Sequence, residues 1–323
     1  MPLYVSLDGG GSKCCALLYD ESGPLGYGCA GGTNTNFTTV EACRSNIEQC
    51  LDQAFKGYGV PKIDVAHAVL VGPNEILAEV LASRAEVGQL SHIEEGRAGL
   101  LAGALRKSGI VALSGTGSDA FYYPPAGESQ MVGGMGSILG DQGSGFWIGQ
   151  RGIRAALAYH EGWGEETMLL PLLHEAWGLS EKWEIVQAVY GGNAPFRKVA
   201  SFVPVVAKAA RLGDSVALAC FEAAGLVMAE QTLVLARRPD IPPDARVCVC
   251  CGGAWKAHPA MVQAFERRMA EEVPGLAIHK SLYEPVMAGV VLNLLGRFPL
   301  PAGDRVLEAL VPYERFRIQW WEE

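Results

Sequence analysis

Three short stretches of the sequence place glycines beside hydroxyls and a carboxylate in the way phosphate chemistry requires. "DGGGSK" (residues 8–13) sets Asp8 ahead of three glycines, a hydroxyl and an ammonium. Lacking Cβ, Gly9, Gly10 and Gly11 can turn successive N–H groups inward as a nest for an anion. Ser12 and Lys13 can add a hydroxyl and a charge. "SGTGSD" (114–119) offers the Thr116 and Ser118 hydroxyls with the Gly115 and Gly117 amides. "CCGGAW" (250–255) closes an apolar run, and the bare backbone at Gly252 and Gly253 would admit a flat group such as a purine. Each stretch could be an ordinary tight turn. Together, two of them could hold a polyphosphate while the third takes a base.

The flanking pattern says what positions these turns. Strands are predicted over 3–7, 14–19 and 25–30, with "DESG" turning between the last two. This meander excludes the usual P-loop, whose glycines open directly into a helix. Val40, Cys43, Ile47, Cys50, Leu51 and Ala54 recur at helical spacing behind Thr38 and Thr39, which predicts a capped helix over 40–55. "HAVLVGPNEILAEVLASR" reads as a strand running into a helix capped by Asn74. From Ile110 the opening recurs: "IVAL", the second glycine turn, then "AFYY". A glycine-dense loop "VGGMGSILGDQGSGFW" follows, with helices predicted over 147–159, 214–237, 259–270 and 284–295 and a buried strand at "RVCVCC". The grammar is α/β and duplicated. We expect a first lobe of residues 1–113 with the tail 296–323 packed on it, and a second lobe of 114–295.

At 323 residues the chain is long for a single core, which agrees with two lobes. Hydrophobic residues make up 49% and charged ones 19%, so the chain can bury a core throughout. A net charge of -9 with no Lys/Arg cluster excludes nucleic acid and anionic membranes as partners and favours a small-molecule ligand. No basic stretch precedes an apolar segment at the N-terminus and no apolar run approaches about 18 residues, so a cytoplasmic protein is expected. The nine cysteines are odd in number. Cys248 and Cys251 fall in a strand, where residues three apart face opposite ways, so they do not suit a shared metal. The cysteines are expected to be mostly buried free thiols. His160 and Glu161 lack metal-ligand spacing, and Trp320 and Trp321 read as packing or a subunit contact.

"DGGGSK", "SGTGS", "GGMGSILGDQGSGFWIG" and "CGGAW", in this order and spacing, resemble the N-acetylglucosamine kinase and benzoyl-CoA reductase activator ATPase family of the actin/hexokinase/Hsp70 superfamily. The resemblance spans about residues 3–295 and is most specific at "GDQGSGFWIG". It implies an α/β fold of two ribonuclease-H-like lobes closing on ATP and Mg2+. Activators of this family resemble one another in a cysteine loop that holds an iron–sulfur cluster between two subunits. The present chain has no such loop, which favours the kinase branch. On that branch the resemblance puts Asn36 and Phe37 of "GGTNTNF" at the sugar, together with Ser118, Asp119, the backbone of Gly134, Met135 and Gly136, and Asp141. Ser12, Thr116, Ala200, Gly252, Gly253 and Ala254 would face the nucleotide, and Asp8 would organise magnesium through water.

Kinases of the family also resemble one another in an aspartate that starts the helix before the second turn. Here "SHIEEGRAGLLAGAL" puts Glu95 at the matching position, with Glu94 beside it. Either carboxylate could take the proton of an attacking hydroxyl, and Asp141 is the reserve candidate. The expected activity is ATP-dependent phosphorylation of the 6-hydroxyl of N-acetylglucosamine, glucosamine or N-acetylmuramic acid, by a homodimer. The alternative is an ATPase module that drives a partner enzyme.

Overall fold

The computed structural model describes residues 1–192, 195–298 and 303–321. The chain forms two compact units, residues 1–107 with 280–319, and residues 108–279 with the end of the chain from Trp320.

"KCCALLYD" is apolar at successive positions, the pattern of a strand covered on both faces. In the first unit β1 (Tyr4–Gly9), β2 (Lys13–Asp20), β3 (Gly23–Gly31), β4 (Lys62–Leu70) and β5 (Glu86–His92) form one sheet in the order β3-β2-β1-β4-β5. β1, β2 and β3 are the antiparallel meander, while β4 and β5 run parallel to β1. On one face Val5, Leu7, Cys14, Ala16 and Leu18 pack with helix Val40–Ala54 and helix Asn74–Arg84. On the other, Cys15, Leu17 and Tyr19 meet helix Glu95–Ala104 and helix Ala288–Arg297. Thr39 caps the first of these helices, its hydroxyl accepting from the Ala42 N–H at 3.2 Å. Asn74 is not a cap: it is the first helical residue, behind Pro73.

The second unit repeats this plan. β6 (Gly109–Ser114), β7 (Ser118–Tyr123), β8 (Gln130–Gly133), β9 (Val247–Cys251) and β10 (Ala277–Lys280) lie in the order β10-β9-β6-β7-β8. β6, β7 and β8 are the antiparallel meander and β9 runs parallel to β6. The repeat seen in the sequence is therefore a repeat of topology. Helix Gly145–His160 and helix Ser215–Ala236 carry much of this unit's core. The latter is long and apolar enough to cross a membrane by length and composition, which corrects the expectation that no apolar run of that length exists. Half of its apolar window is buried, and Phe221, Ala224, Met228 and Leu233 are fully enclosed in the core.

The unit boundaries differ from the expected ones. Residues 280–295 join the first unit because Gly289 lets their helix descend onto its sheet. A Cβ there would come within 2.7 Å of Ser6 Oγ and 2.8 Å of His67 Cβ. The Gly289 N–H donates to Ser6 Oγ at 3.1 Å, and Asn293 bridges His67 Nε2 (3.0 Å) and the Tyr19 hydroxyl (2.9 Å). In the expected tail, 303–319 belongs to the first unit, whereas Trp320 and Trp321, with ring centroids 4.9 Å apart, pack against the second unit's core. Residues 299–302, 322 and 323 of that tail lie outside the described residues.

β3 carries helix Val40–Ala54 at backbone distance. A Cβ at Gly28 would fall 1.9 Å from the Cys50 carbonyl oxygen, and one at Gly26 2.0 Å from that of Ala54. Gly28→Ala is expected to cost about 1–3 kcal/mol of stability through overpacking. A lowered urea midpoint at unchanged slope would report it, and an unchanged midpoint would contradict the packing.

Candidate functional site

The site in the first unit lies at the carboxyl end of β1. Asp8 is the register partner of Cys15 on β2 and of Val69 on β4, and Gly9 ends the strand. The glycine loop closes as a tight hairpin, the Gly10 N–H donating to the Lys13 carbonyl at 3.0 Å. The Gly10 carbonyl accepts from the Thr33 N–H at 2.8 Å, which brings "GGTNTNF" against "DGGGSK". A Cβ on Gly32 would lie 2.5 Å from the Gly11 carbonyl oxygen, and one on Gly9 2.6 Å from Thr33 Oγ1. Gly10, by contrast, has open space beside its α-carbon. Asn36 is exposed on the turn that follows, and Phe37 is half-buried. The Lys13 Nζ pairs with Glu284 at 2.8 Å.

Glu95 opens the helix that packs on the same sheet face as Cys15, and its charge interacts with that of Asp8. Surrounding protein, with the Asp8 charge adding, raises the Glu95 carboxyl to about 7. Its surface remains exposed, so this is a carboxyl crowded by protein that solvent still reaches. Burial raises Asp8 to about 6, with Lys13 opposing and Glu284 adding to the rise. Both shifts favour the protonated forms, so this pair weakens the fold as pH climbs from about 4 to about 7, where the unfolded chain would already have released those protons. Glu94 is the exposed N-cap residue ahead of Glu95.

In the second unit the three motifs are tied into one construction. The Gly145 N–H donates to the Gly115 carbonyl at 2.7 Å and the Phe146 N–H to that of Thr116 at 3.3 Å, so helix Gly145–His160 starts on the second turn. Ser144 caps this helix, accepting from the Trp147 N–H. Gly252, at φ +108°, packs against β6 so closely that a Cβ would fall 2.2 Å from the Ser114 carbonyl oxygen. That carbonyl also accepts from the Ala254 N–H at 3.0 Å. Gly115 and Gly253 have open space beside them, and Ala254 is buried. Ala200 ends helix Pro195–Ala200, its α-carbon 3.6 Å from where a Cβ of Gly149 would stand.

Asp141 is buried and holds φ +53°, a conformation that a non-glycine residue adopts at a cost. A Cβ on Gly117 would touch its Oδ2 at 2.8 Å. Burial raises its carboxyl, against hydrogen bonds from the backbone of Ser118 and Gly136 and from the Ser137 hydroxyl. Ser118 is buried as well, and its hydroxyl donates to the Gln142 carbonyl at 2.9 Å, so it ties the turn to the Asp141 loop instead of offering its proton to a ligand. Asp119 sits beside Gly134, whose Cβ would lie 3.4 Å from Asp119 Oδ2. Gly134, Met135 and Gly136 are exposed. Next to this loop opens a groove of about 770 Å³ lined by Ile138, Leu139, Trp147, Tyr190 and Phe196.

Sequence reasoning missed Glu284, which stands 271 residues from its partner Lys13 and carries no motif. It also missed Ser144, although a serine three residues before Trp147 is a legible cap. Among the described residues no group of three or more His, Cys, Asp or Glu side chains could hold a metal ion.

The BadF/BadG/BcrA/BcrD ATPase family model matches residues 5–291. An N-acetylmuramic acid/N-acetylglucosamine kinase of Clostridium acetobutylicum is 26% identical over 229 residues, 67% of this chain and 73% of that protein. A solved structure from Chromobacterium violaceum, provisionally named an N-acetylglucosamine kinase, overlaps 90% of this chain and 99% of its own at 23% identity with a TM-score of 0.69. A ROK family glucokinase from Streptomyces griseus, solved with glucose and AMPPNP, overlaps 90% and 97% at 15% identity with a TM-score of 0.55. These overlaps identify the fold as two ribonuclease-H-like lobes of the actin/hexokinase type.

Because the Asp8 charge contributes to the raised Glu95 carboxyl, Asp8→Asn is expected to move the Glu95 titration midpoint to lower pH. Carbon-13 NMR of labelled glutamate side chains measures it. A midpoint that stays in place would contradict the charge interaction.

Proposed function

The chain belongs to the BadF/BadG/BcrA/BcrD ATPase family, and from that premise we propose that it is an ATP-dependent kinase acting on an amino sugar. The acceptor atom is the 6-hydroxyl of N-acetylglucosamine, glucosamine or N-acetylmuramic acid. The observation that carries the reading is the Asp8 and Glu95 pair. Two carboxyls at the same end of the first sheet, one of them poised near neutral pH, are what a hydroxyl acceptor needs beside a phosphate loop.

Phosphoryl transfer asks the protein to position donor and acceptor and to neutralise charge. In the first unit the backbone at Gly9, Gly10 and Gly11, with Ser12, binds phosphate oxygens. Lys13 is held near them by Glu284. In the second unit Gly115, Thr116 and Gly117 bind phosphate, and Gly252, Gly253, Ala254 and Ala200 receive the nucleoside. The open space beside Gly10, Gly115 and Gly253 supports this, because nothing in the protein itself demands glycine there. Asn36, Phe37, Asp119, the backbone of Gly134, Met135 and Gly136, and Asp141 orient the sugar, with Ser118 holding Asp141's loop to the turn.

The ionised Glu95 carboxylate accepts the hydroxyl proton as that oxygen attacks the γ-phosphorus and ADP departs. Asp8 and Glu95, two carboxyls that repel when both are charged, fit a divalent cation, and Asp8 would hold Mg2+ through water. Bound there, the ion would neutralise phosphate charge.

A coupled assay tests the reading. ATP turnover is expected only with an added amino sugar, and turnover indifferent to every sugar would replace it with an ATPase. Glu95→Gln is expected to lower kcat by roughly 10²–10⁴-fold. Since the base acts ionised, kcat/KM, which reports the free protein, is expected to rise with pH and level off above about 7. A profile flat from pH 5 to pH 8 would move the base to another residue.

A further inference from the structure

We infer that Cys15 and Cys29 form a reversible thiol–disulfide modification site beside Asp8. The two residues are direct register partners across β2 and β3, and their sulfurs lie 3.0 Å apart. Opposed residues of an antiparallel pair have Cα separations of about 4.5–5.5 Å, within the range a disulfide spans, and a bonded pair sits at about 2.05 Å. Roughly one ångström of sulfur approach therefore completes the bond without moving a strand.

Access and aim are both provided. Cys29 is exposed on β3, the edge strand of its sheet, whereas the other eight cysteines are buried. Its backbone N–H is fixed by Gln53 Oε1 at 2.9 Å, and the Tyr27 hydroxyl donates to Cys15 Sγ at 3.2 Å. Because Cys29 is exposed and Cys15 is buried beneath it, Cys29 is the sulfur that meets the oxidant and Cys15, 3.0 Å away, the one that resolves. The co-reactant is a hydroperoxide. With hydrogen peroxide, Cys29 sulfur attacks one oxygen, the O–O bond breaks, and the other oxygen takes that electron pair and the Cys29 thiol proton and leaves as water, giving a sulfenic acid. Cys15 sulfur then displaces the sulfenic hydroxyl as a second water, its thiol proton departing with it. Two thiols and one peroxide become one disulfide and two waters.

Asp8 is the register partner of Cys15, so the three side chains share one sheet face, and Lys13 lies on the same face two residues before Cys15. Linkage therefore bears on Asp8, and a fall in turnover on oxidation, which rests on the kinase reading above, is expected.

The test treats the intact protein with hydrogen peroxide, blocks remaining thiols, and maps linked peptides by mass spectrometry with and without dithiothreitol. Turnover of ATP with amino sugar is followed on the same samples. The expected result is a Cys15–Cys29 link, removed by the reductant and absent in Cys29→Ser, with turnover lost and regained in step and Cys29→Ser resistant. Recovery of Cys29 as a free thiol, or its appearance only as sulfinic or sulfonic acid, overturns the site. A link with unchanged turnover overturns its coupling to Asp8. A protein that shows no sugar-dependent turnover before oxidation fails the kinase reading instead, and the peptide map still decides the link.

Discussion

Burial of each sheet on both faces is the constraint from which the rest follows. The central strands β1 and β6 are enclosed on both faces, so their polar side chains are either tied down within the fold, as Ser6 Oγ is by the Gly289 N–H, or stand at the strand ends. Asp8 and the Gly9, Gly10 and Gly11 turn stand at one such end, and the Gly115, Thr116 and Gly117 turn at the equivalent end in the second unit. The same geometry makes the turns stiff, because each leaves an anchored strand and immediately re-enters another.

Close backbone approach is the second organising device, and it concentrates at these ends. Gly252 against the Ser114 carbonyl, Gly32 against Gly11 and Gly145 against Gly115 bring separate chain segments to main-chain distance. Side chains at those positions would push the loops apart. Glycines that have open space instead, such as Gly10, Gly115 and Gly253, do not serve packing, and they are the ones at which a ligand can approach the backbone.

Electrostatics then distinguishes the two units. The first carries the titrating pair Asp8 and Glu95 with the Lys13–Glu284 ion pair, so its charge state changes near neutral pH. The second carries Asp141 in a costly backbone conformation, with its carboxyl buried among N–H donors. Acid–base work suits the former and rigid orientation the latter.

Local chemistry was legible in the residues themselves. The meander around "DGGGSK", its recurrence at "SGTGSD", the Thr39-capped helix and the buried strand before "CGGAW" all follow from periodicity and turn composition, which act over a few residues. Glu95 at the head of its helix came from the family resemblance, which matches it to the aspartate that starts that helix in the kinases. What tertiary structure alone decided depends on contacts between distant segments. Glu284 reaches Lys13, the helix over Gly289 joins the first sheet, Ser118 spends its hydroxyl on Gln142, and Cys29 comes to lie against Cys15. Strand register and helix docking create those neighbours, and both are set by the summed packing of two faces, which no short stretch of sequence contains.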